Sequence, residues 1–276
     1  MPEPEVAERE LAEFIEFARR LAAVAGNIIL PHFRAAALDV TNKQADSGLF
    51  DPVTIADRDA EQAIRNEISR KYPGHGIHGE EHGLKPGRER FTWVIDPIDG
   101  TRAFILGLLH WGTLIALNDG ERPIVGVMHQ PYTGETFLGS RLGAEFEHGG
   151  TRRPLRVRKC GRIEDAIVSA TDPAMFRKGP EREAFREIAR TARLTRYGGD
   201  CYAYCMLASG LIDLVIESQN QAYDLQALMP IVEGAGGVMT TWAGGSAQDG
   251  GQSVAAGDPA LHKIALGILG AGVSRR

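Results

Sequence analysis

Cysteine is scarce in this chain. The three present, Cys160, Cys201 and Cys205, form neither a CxxC pair nor a spacing shared with clustered histidines. An odd number without metal-ligand spacing excludes a disulfide-stapled scaffold and a zinc-thiolate site, and points to reduced thiols in a reducing compartment. A basic excess is lacking too. The formal charge is −5 and the pI near 5.9, and an aromatic share of 7% leaves few stacking platforms, so nucleic-acid binding is not expected. Long hydrophobic runs are missing: the longest apolar stretch, Ala103 to Leu117, is interrupted by His110 and two glycines. The opening Met1-Pro2-Glu3-Pro4-Glu5 is acidic and has no apolar signal core. The expectation is a cytoplasmic chain that does not enter a membrane. No internal repeat or low-complexity segment stands out. What remains is a 276-residue chain, long enough to bury a core without disulfides and suited to a small-molecule partner.

The apolar pattern divides into two styles. Leu11, Phe14, Ile15, Ala18, Leu21, Ala25, Ile28 and Ile29 recur at helical spacing up to Pro31, and Ala60, Ile64 and Ile68 mark a second helix stopped by Tyr72-Pro73-Gly74. Residues 39–50 hold no sustained period and read as a loose hairpin or connection. Strand-like runs follow at 113–117, 124–129, 136–138 and 144–146, with turn signals at hairpin spacing, which predicts a largely antiparallel sheet in residues 1–149. Gly149 to Arg153 makes a seam. Residues 150–276 alternate strand and helix, which predicts a mixed sheet covered on both faces. The two halves are read as one domain spanning 1–276.

Acidic residues sit at the edges of these elements. Trp93-Val94-Ile95-Asp96-Pro97-Ile98-Asp99-Gly100-Thr101 begins as a buried strand, stops at a carboxylate and offers a second one three residues on. Two acids so close stay ionised together most easily around a cation. Gly100 and Thr101 could then open a helix with free N–H groups facing an anion such as a phosphate. The plain alternative is a strand end and a helix cap. Similar choices recur elsewhere. Thr54 and Asp57 form a capping box with Asp in place of Glu, Glu80 and Glu81 end a short strand, and Asp224 precedes an apolar helix that it could cap. Arg196-Tyr197-Gly198-Gly199-Asp200 joins strand to helix through two glycines, either as a tight turn or as a close approach to a ligand. Asp51, Asp57, Glu80, Asp96, Asp99 and Asp224 are oxygen donors unaccompanied by Cys or His. Such a set selects Mg²⁺, Mn²⁺ or Ca²⁺ over zinc or copper.

Four segments taken in order, Asp51-Pro-Val-Thr-Ile-Ala-Asp57, Gly79-Glu80-Glu81, Trp93 to Thr101, and Tyr223-Asp224 with Glu233-Gly-Ala-Gly-Gly237, resemble the inositol monophosphatase superfamily of Mg²⁺-dependent phosphatases. The resemblance implies a layered α-β-α-β-α sandwich, classed α/β (α+β), usually as a homodimer. It implies two to three Mg²⁺ ions, with Mn²⁺ an alternative, held by Glu80, Asp96, the carbonyl of Ile98, Asp99 and Asp224, with Glu81 behind them. Asp57 and Thr101 match the pair that orients or deprotonates the attacking water. Gly100 and Thr101 match the phosphate-holding amides, and Lys43 and Asp51 match loop positions linked to a further metal. The implied reaction is hydrolysis of a small phosphate monoester by in-line attack of metal-activated water, without a phosphoenzyme.

Within that family, Gly198-Gly199-Asp200-Cys201-Tyr202-Ala203-Tyr204, Thr101-Arg102-Ala103-Phe104 and Trp111-Gly112-Thr113 resemble the histidinol-phosphate phosphatase branch of histidine biosynthesis. At Ile55, His110 and Gln219-Asn220-Gln221-Ala222 the sequence departs from that branch, where more apolar or Pro-containing residues are expected. Histidinol phosphate carries an ammonium, which Asp200 and Glu217 could pair with, and Arg196 and Gly199 are the further substrate-binding candidates. Alternatives are an inositol-1-monophosphatase or another sugar or nucleotide phosphatase of the fold. A role of another class, as a binding partner of the transcription machinery, is known for some members. A pure binding module has no need of acids held together against repulsion.

Overall fold

The computed structural model describes residues 5–36, 40–42 and 52–273. Helix α1 (Glu8–Ile29), whose buried face is Leu11, Phe14, Phe17, Ala18, Leu21, Ala22, Ala25 and Ile29, ends two residues before Pro31, which lies in a short 3₁₀ turn over Leu30–His32. Short strands β1 (Val40–Asn42) and β2 (Pro52–Thr54) pair antiparallel and lead into α2 (Ile55–Lys71). Then come β3 (Gly76–Gly79), β4 (Gly83–Lys85), β5 (Thr92–Asp99), the five-residue helix α3 (Thr101–Ile105), and β6 (Gly112–Asn118), β7 (Pro123–Gln130), β8 (Glu135–Ser140), β9 (Gly143–His148) and β10 (Thr151–Pro154). Strands β3 to β10 form one eight-stranded sheet in the order β10-β9-β8-β7-β6-β5-β3-β4, antiparallel except between β3 and β5. Gly149 and Gly150, expected to lie in the seam between halves, instead turn β9 into β10, so the first sheet runs on to Pro154.

The second half contains β11 (Ile167–Ala170), α4 (Pro180–Thr191), β12 (Leu194–Tyr197), α5 (Asp200–Ala208), β13 (Leu214–Asn220), α6 (Ala222–Leu225), α7 (Leu228–Gly234), β14 (Val238–Thr241), β15 (Gly251–Ala256) and α8 (Pro259–Leu269). Its mixed five-stranded sheet has the order β12-β11-β13-β15-β14. The single apolar helix expected after Asp224 is two. It breaks at Gln226 and Ala227 and begins early enough to carry Asp224 in its first turn.

Period-2 alternation sorts the strand side chains into three apolar layers. Trp93, Ile95, Ile115, Leu117, Val125 and Val127 join α1 and α2 on the outer side of the first sheet. Val94, Leu114, Ala116 and Met128 face inward, against α5, α7 and Val215 and Ala255 of the second sheet. Leu214, Ile216, Val254 and Ala256 face outward against α4 and α8. The layers therefore run α-β-α-β-α, with α5 to α7 in the middle. Among the described residues no helix is long and apolar enough to cross a membrane.

Candidate active site

The site is built where β5 departs from regularity. Asp96 pairs with Leu114 of β6 and Asp99 with Gly112, so three steps along β5 match two along its partner. In a regular strand, residues three apart point to opposite faces. The bulge adds one residue and returns Asp99 to the inner face that Val94 and Leu114 already occupy. The Thr113 hydroxyl donates to the Pro97 carbonyl at 2.8 Å and the Thr101 hydroxyl to the Ile98 carbonyl at 2.9 Å, which pins the bulge. Gly100 then turns at φ 82°, where a Cβ would lie 2.6 Å from the His110 carbonyl oxygen.

Asp224 comes to the same place from α6. One oxygen each of Asp96, Asp99 and Asp224 lies within 4.8 Å of the others. Glu80, in the turn after β3, continues the ladder through its N–H to the Ile95 carbonyl, and its charge acts on all three. Burial first, and then the neighbouring acids, push Asp96 and Asp224 well above the ordinary carboxylate range, and burial raises Asp99 as well.

The cap and ligand readings of these acids turn out to be compatible. Asp57 accepts the Thr54 N–H at 2.8 Å, Asp96 the Ile98 N–H at 3.0 Å, Asp99 the Cys201 N–H at 2.8 Å and Asp224 the Gln221 N–H at 2.7 Å. In each case one oxygen is anchored to the backbone, which orients the other. For Asp57 the anchored Oδ2 also takes the Thr54 hydroxyl at 2.5 Å, while the buried Oδ1 has no hydrogen-bond partner among the described residues. Burial, together with Glu81 and Glu80, raises Asp57 to about 7.

A small cavity of about 90 Å³ adjoins the cluster, lined by Asp99, Asp224, Asp200, Glu217, Asn220 and Tyr204 among others. Glu217 accepts hydrogen bonds from Thr171 at 2.5 Å and Tyr204 at 3.0 Å, and burial pushes it to about 7. Asp200 rises to about 8, through burial and then the charges of Asp99 and Glu217. Asn220, from the polar run that departs from the branch pattern, enters this cavity.

Two substrate candidates are placed elsewhere. Arg196 is exposed on β12, an edge strand whose side chains meet solvent, and does not line the cavity. Gly199 serves packing: a Cβ there would lie 2.7 Å from that of Ala203, one helical turn along α5. Lys43 and Asp51 lie outside the described residues. Sequence reasoning missed Glu61, fully buried on α2, which accepts the Glu81 N–H at 2.7 Å and the His82 N–H at 3.2 Å and pairs with Arg65, thereby holding the turn that carries Glu80. Its signal was available, since an acid four residues after Asp57 shares that helix face.

Carboxylates crowded and buried in this way would hold protons in the absence of a cation. An all-oxygen donor set without His or Cys fits a hard divalent ion. Five layers with such a cluster between the two sheets define a phosphatase of the layered-sandwich class. The chain belongs to the inositol monophosphatase family, whose sequence profile matches residues 10–269. It is 38% identical to the chloroplastic bifunctional phosphatase IMPL2 of Arabidopsis thaliana, over 96% of this chain and 77% of that protein. It is 32% identical to a histidinol-phosphatase of Chlorobaculum parvum, over 94% and 97%. Its fold superposes on the solved structure of an inositol monophosphatase from Zymomonas mobilis with a TM-score of 0.82 and 39% identity, covering 94% of this chain and 98% of that one.

Proposed function

We propose that this phosphatase hydrolyses histidinol phosphate, using Mg²⁺ held by Asp96, Asp99, Asp224 and Glu80, with the Ile98 carbonyl and Glu81 supporting them. The observation that carries the substrate is the pair Asp200 and Glu217, two acids lining the same cavity as Asp99 and Asp224. An ammonium close to the scissile ester would offset their mutual repulsion, whereas a neutral polyol would leave it in place. The histidinol-phosphatase among the relatives supports the same choice.

A hard divalent cation in the cluster supplies Lewis-acid chemistry, offsetting negative charge on the ester and on its leaving oxygen. The chain does the rest. The unpartnered Oδ1 of Asp57, near pH 7 in its proton affinity, takes the proton of the attacking water, and the doubly anchored Oδ2 keeps that oxygen aimed. The hydroxyl proton of Thr101 is committed to the Ile98 carbonyl, so Thr101 orients that carbonyl while its amide and that of Gly100 receive the phosphate. A homodimer, checked by light scattering, belongs to this proposal.

A second reading, inositol-1-monophosphatase, is favoured by the similarity to the Zymomonas enzyme. Phosphate release from histidinol phosphate, inositol 1-phosphate, fructose 1,6-bisphosphate and adenosine 3′,5′-bisphosphate in Mg²⁺ separates the two. Preference for histidinol phosphate, lost in Asp200→Asn, is the expected result. Preference for inositol 1-phosphate selects the second reading, and hydrolysis of none of them removes both.

A further inference from the structure

Three of the four anchored acids take their N–H donor from within three residues along the chain, and Asp99 alone takes it from afar, from Cys201 at the start of α5. That turn is not at ease. Asp200 sits at φ 42°, in the left-handed region that a residue with a side chain adopts only when its surroundings impose it. One residue beyond Cys201, the Tyr202 hydroxyl donates to Glu135 Oε2 at 2.6 Å, and the Thr133 hydroxyl donates to the same oxygen at 2.9 Å. Glu135 opens β8, in the first sheet, so the contact crosses from one half of the molecule to the other. Burial and the charge of Glu135 keep the phenol protonated and therefore a donor, and a bond to an ionised acceptor is stronger than a neutral one.

The turn that carries Glu135 reaches the other arm of the site as well. Gln130 donates through Nε2 to the Leu109 carbonyl at 3.1 Å and accepts the N–H groups of Tyr132 at 2.7 Å and Thr133 at 3.1 Å. Leu109 precedes His110, the residue whose carbonyl packs against Gly100. Neither Glu135 nor Tyr202 lines the cavity.

We infer that Glu135 and Tyr202 are a positioning pair, whose hydrogen bond fixes the first turn of α5 so that the Cys201 N–H meets Asp99 and Asp200 faces the cavity. The inference rests on the reading of Asp99 as a cation ligand. Its test is Mn²⁺ binding by titration calorimetry, with kcat, KM and Tm, on the full chain and on Tyr202→Phe, Glu135→Ala, Glu135→Gln and the Tyr202→Phe/Glu135→Ala double variant. Tyr202→Phe and Glu135→Ala should each weaken Mn²⁺ binding by about tenfold, the lower end of what losing a ligand's supporting partner costs. The double variant should be no worse than either single one, because both remove the same bond. Glu135→Gln keeps an acceptor oxygen for the phenol and should restore much of the affinity. Unchanged Mn²⁺ affinity in the singles, with or without a lower Tm, overturns the inference, as do single effects that add in the double. An unmutated chain that binds no Mn²⁺ would remove the cation reading itself, and this proposal with it.

Discussion

A carboxylate with one oxygen bound to a backbone N–H is the repeated device of this site, at Asp57, Asp96, Asp99 and Asp224. The anchored oxygen takes the entropy loss of orientation at folding, and the remaining one is aimed before any ligand arrives. Two substitutions separate the roles. Asp57→Asn keeps a carbonyl oxygen for the Thr54 N–H but cannot accept a proton, so kcat should fall by about 10²–10⁴-fold with Mn²⁺ affinity close to that of the unmutated chain. Calorimetry together with phosphate release checks this, and an equal loss of Mn²⁺ binding would show that Asp57 is a ligand instead. Asp99→Asn should lose both turnover and cation affinity, by more than the roughly 10–100-fold typical of a ligand's supporting partner, with the fold intact by circular dichroism. Near-normal Mg²⁺-dependent release from that variant would sink the site assignment.

Between elements, close approach decides geometry. Helix α7 lies on the inner face of the first sheet because two strand positions have no side chain there. A Cβ at Gly126 would fall 1.9 Å from the Ala227 carbonyl oxygen, and one at Gly139 would fall 2.3 Å from backbone atoms of Pro230 and Ile231. Because α7 follows α6 directly, this contact also sets the height of Asp224 above Asp96 and Asp99. Gly139→Ala must push rigid backbone apart, at a cost of about 1–3 kcal/mol, and so lower Tm by several degrees. Mn²⁺ affinity should weaken as Asp224 is displaced. Thermal unfolding and calorimetry read the two effects, and an unchanged Tm would mean that α7 has more freedom than the packing implies.

The whole molecule answers to pH through the same acids. Asp57 rises from 3.8 to about 7, Asp200 from 3.8 to about 8 and Glu217 from 4.5 to about 7, with burial the leading cause in each. Between those limits the folded chain holds protons that the unfolded chain has released. The stability these groups contribute is fully present below about pH 4 and is lost as pH rises to about 8. The Tm of the cation-free chain should therefore fall from about pH 5 to about pH 8 as far as these groups govern it, and Mg²⁺ should raise Tm more at the alkaline end, where the carboxylates are ionised and ready to bind. Scanning calorimetry with and without Mg²⁺ measures this, and a Mg²⁺ effect that is larger at low pH would contradict it.

Much of this was legible in the residues. Apolar, strand-like runs along 93–95, 113–117 and 124–129 marked the central strands, helical spacing marked α1 and α2, and the Thr54-Asp57 pair announced a helix start that the structure contains. The clustered acids Glu80, Asp96, Asp99 and Asp224 were visible at element edges, because strand ends and helix starts carry local signatures in charge and turn residues. Which backbone N–H anchors each acid, and which face the acid points to, was not visible. Asp96 and Asp99 share a face only because β6 imposes a bulge on β5. Arg196 faces solvent because β12 ends its sheet, and Glu61 matters because the β3–β4 turn comes to rest on it. Each of these depends on a partner distant in the chain. The sequence alone therefore determined which groups could take part, through local propensity and spacing, while long-range register and close packing between the sheets decided how they converge.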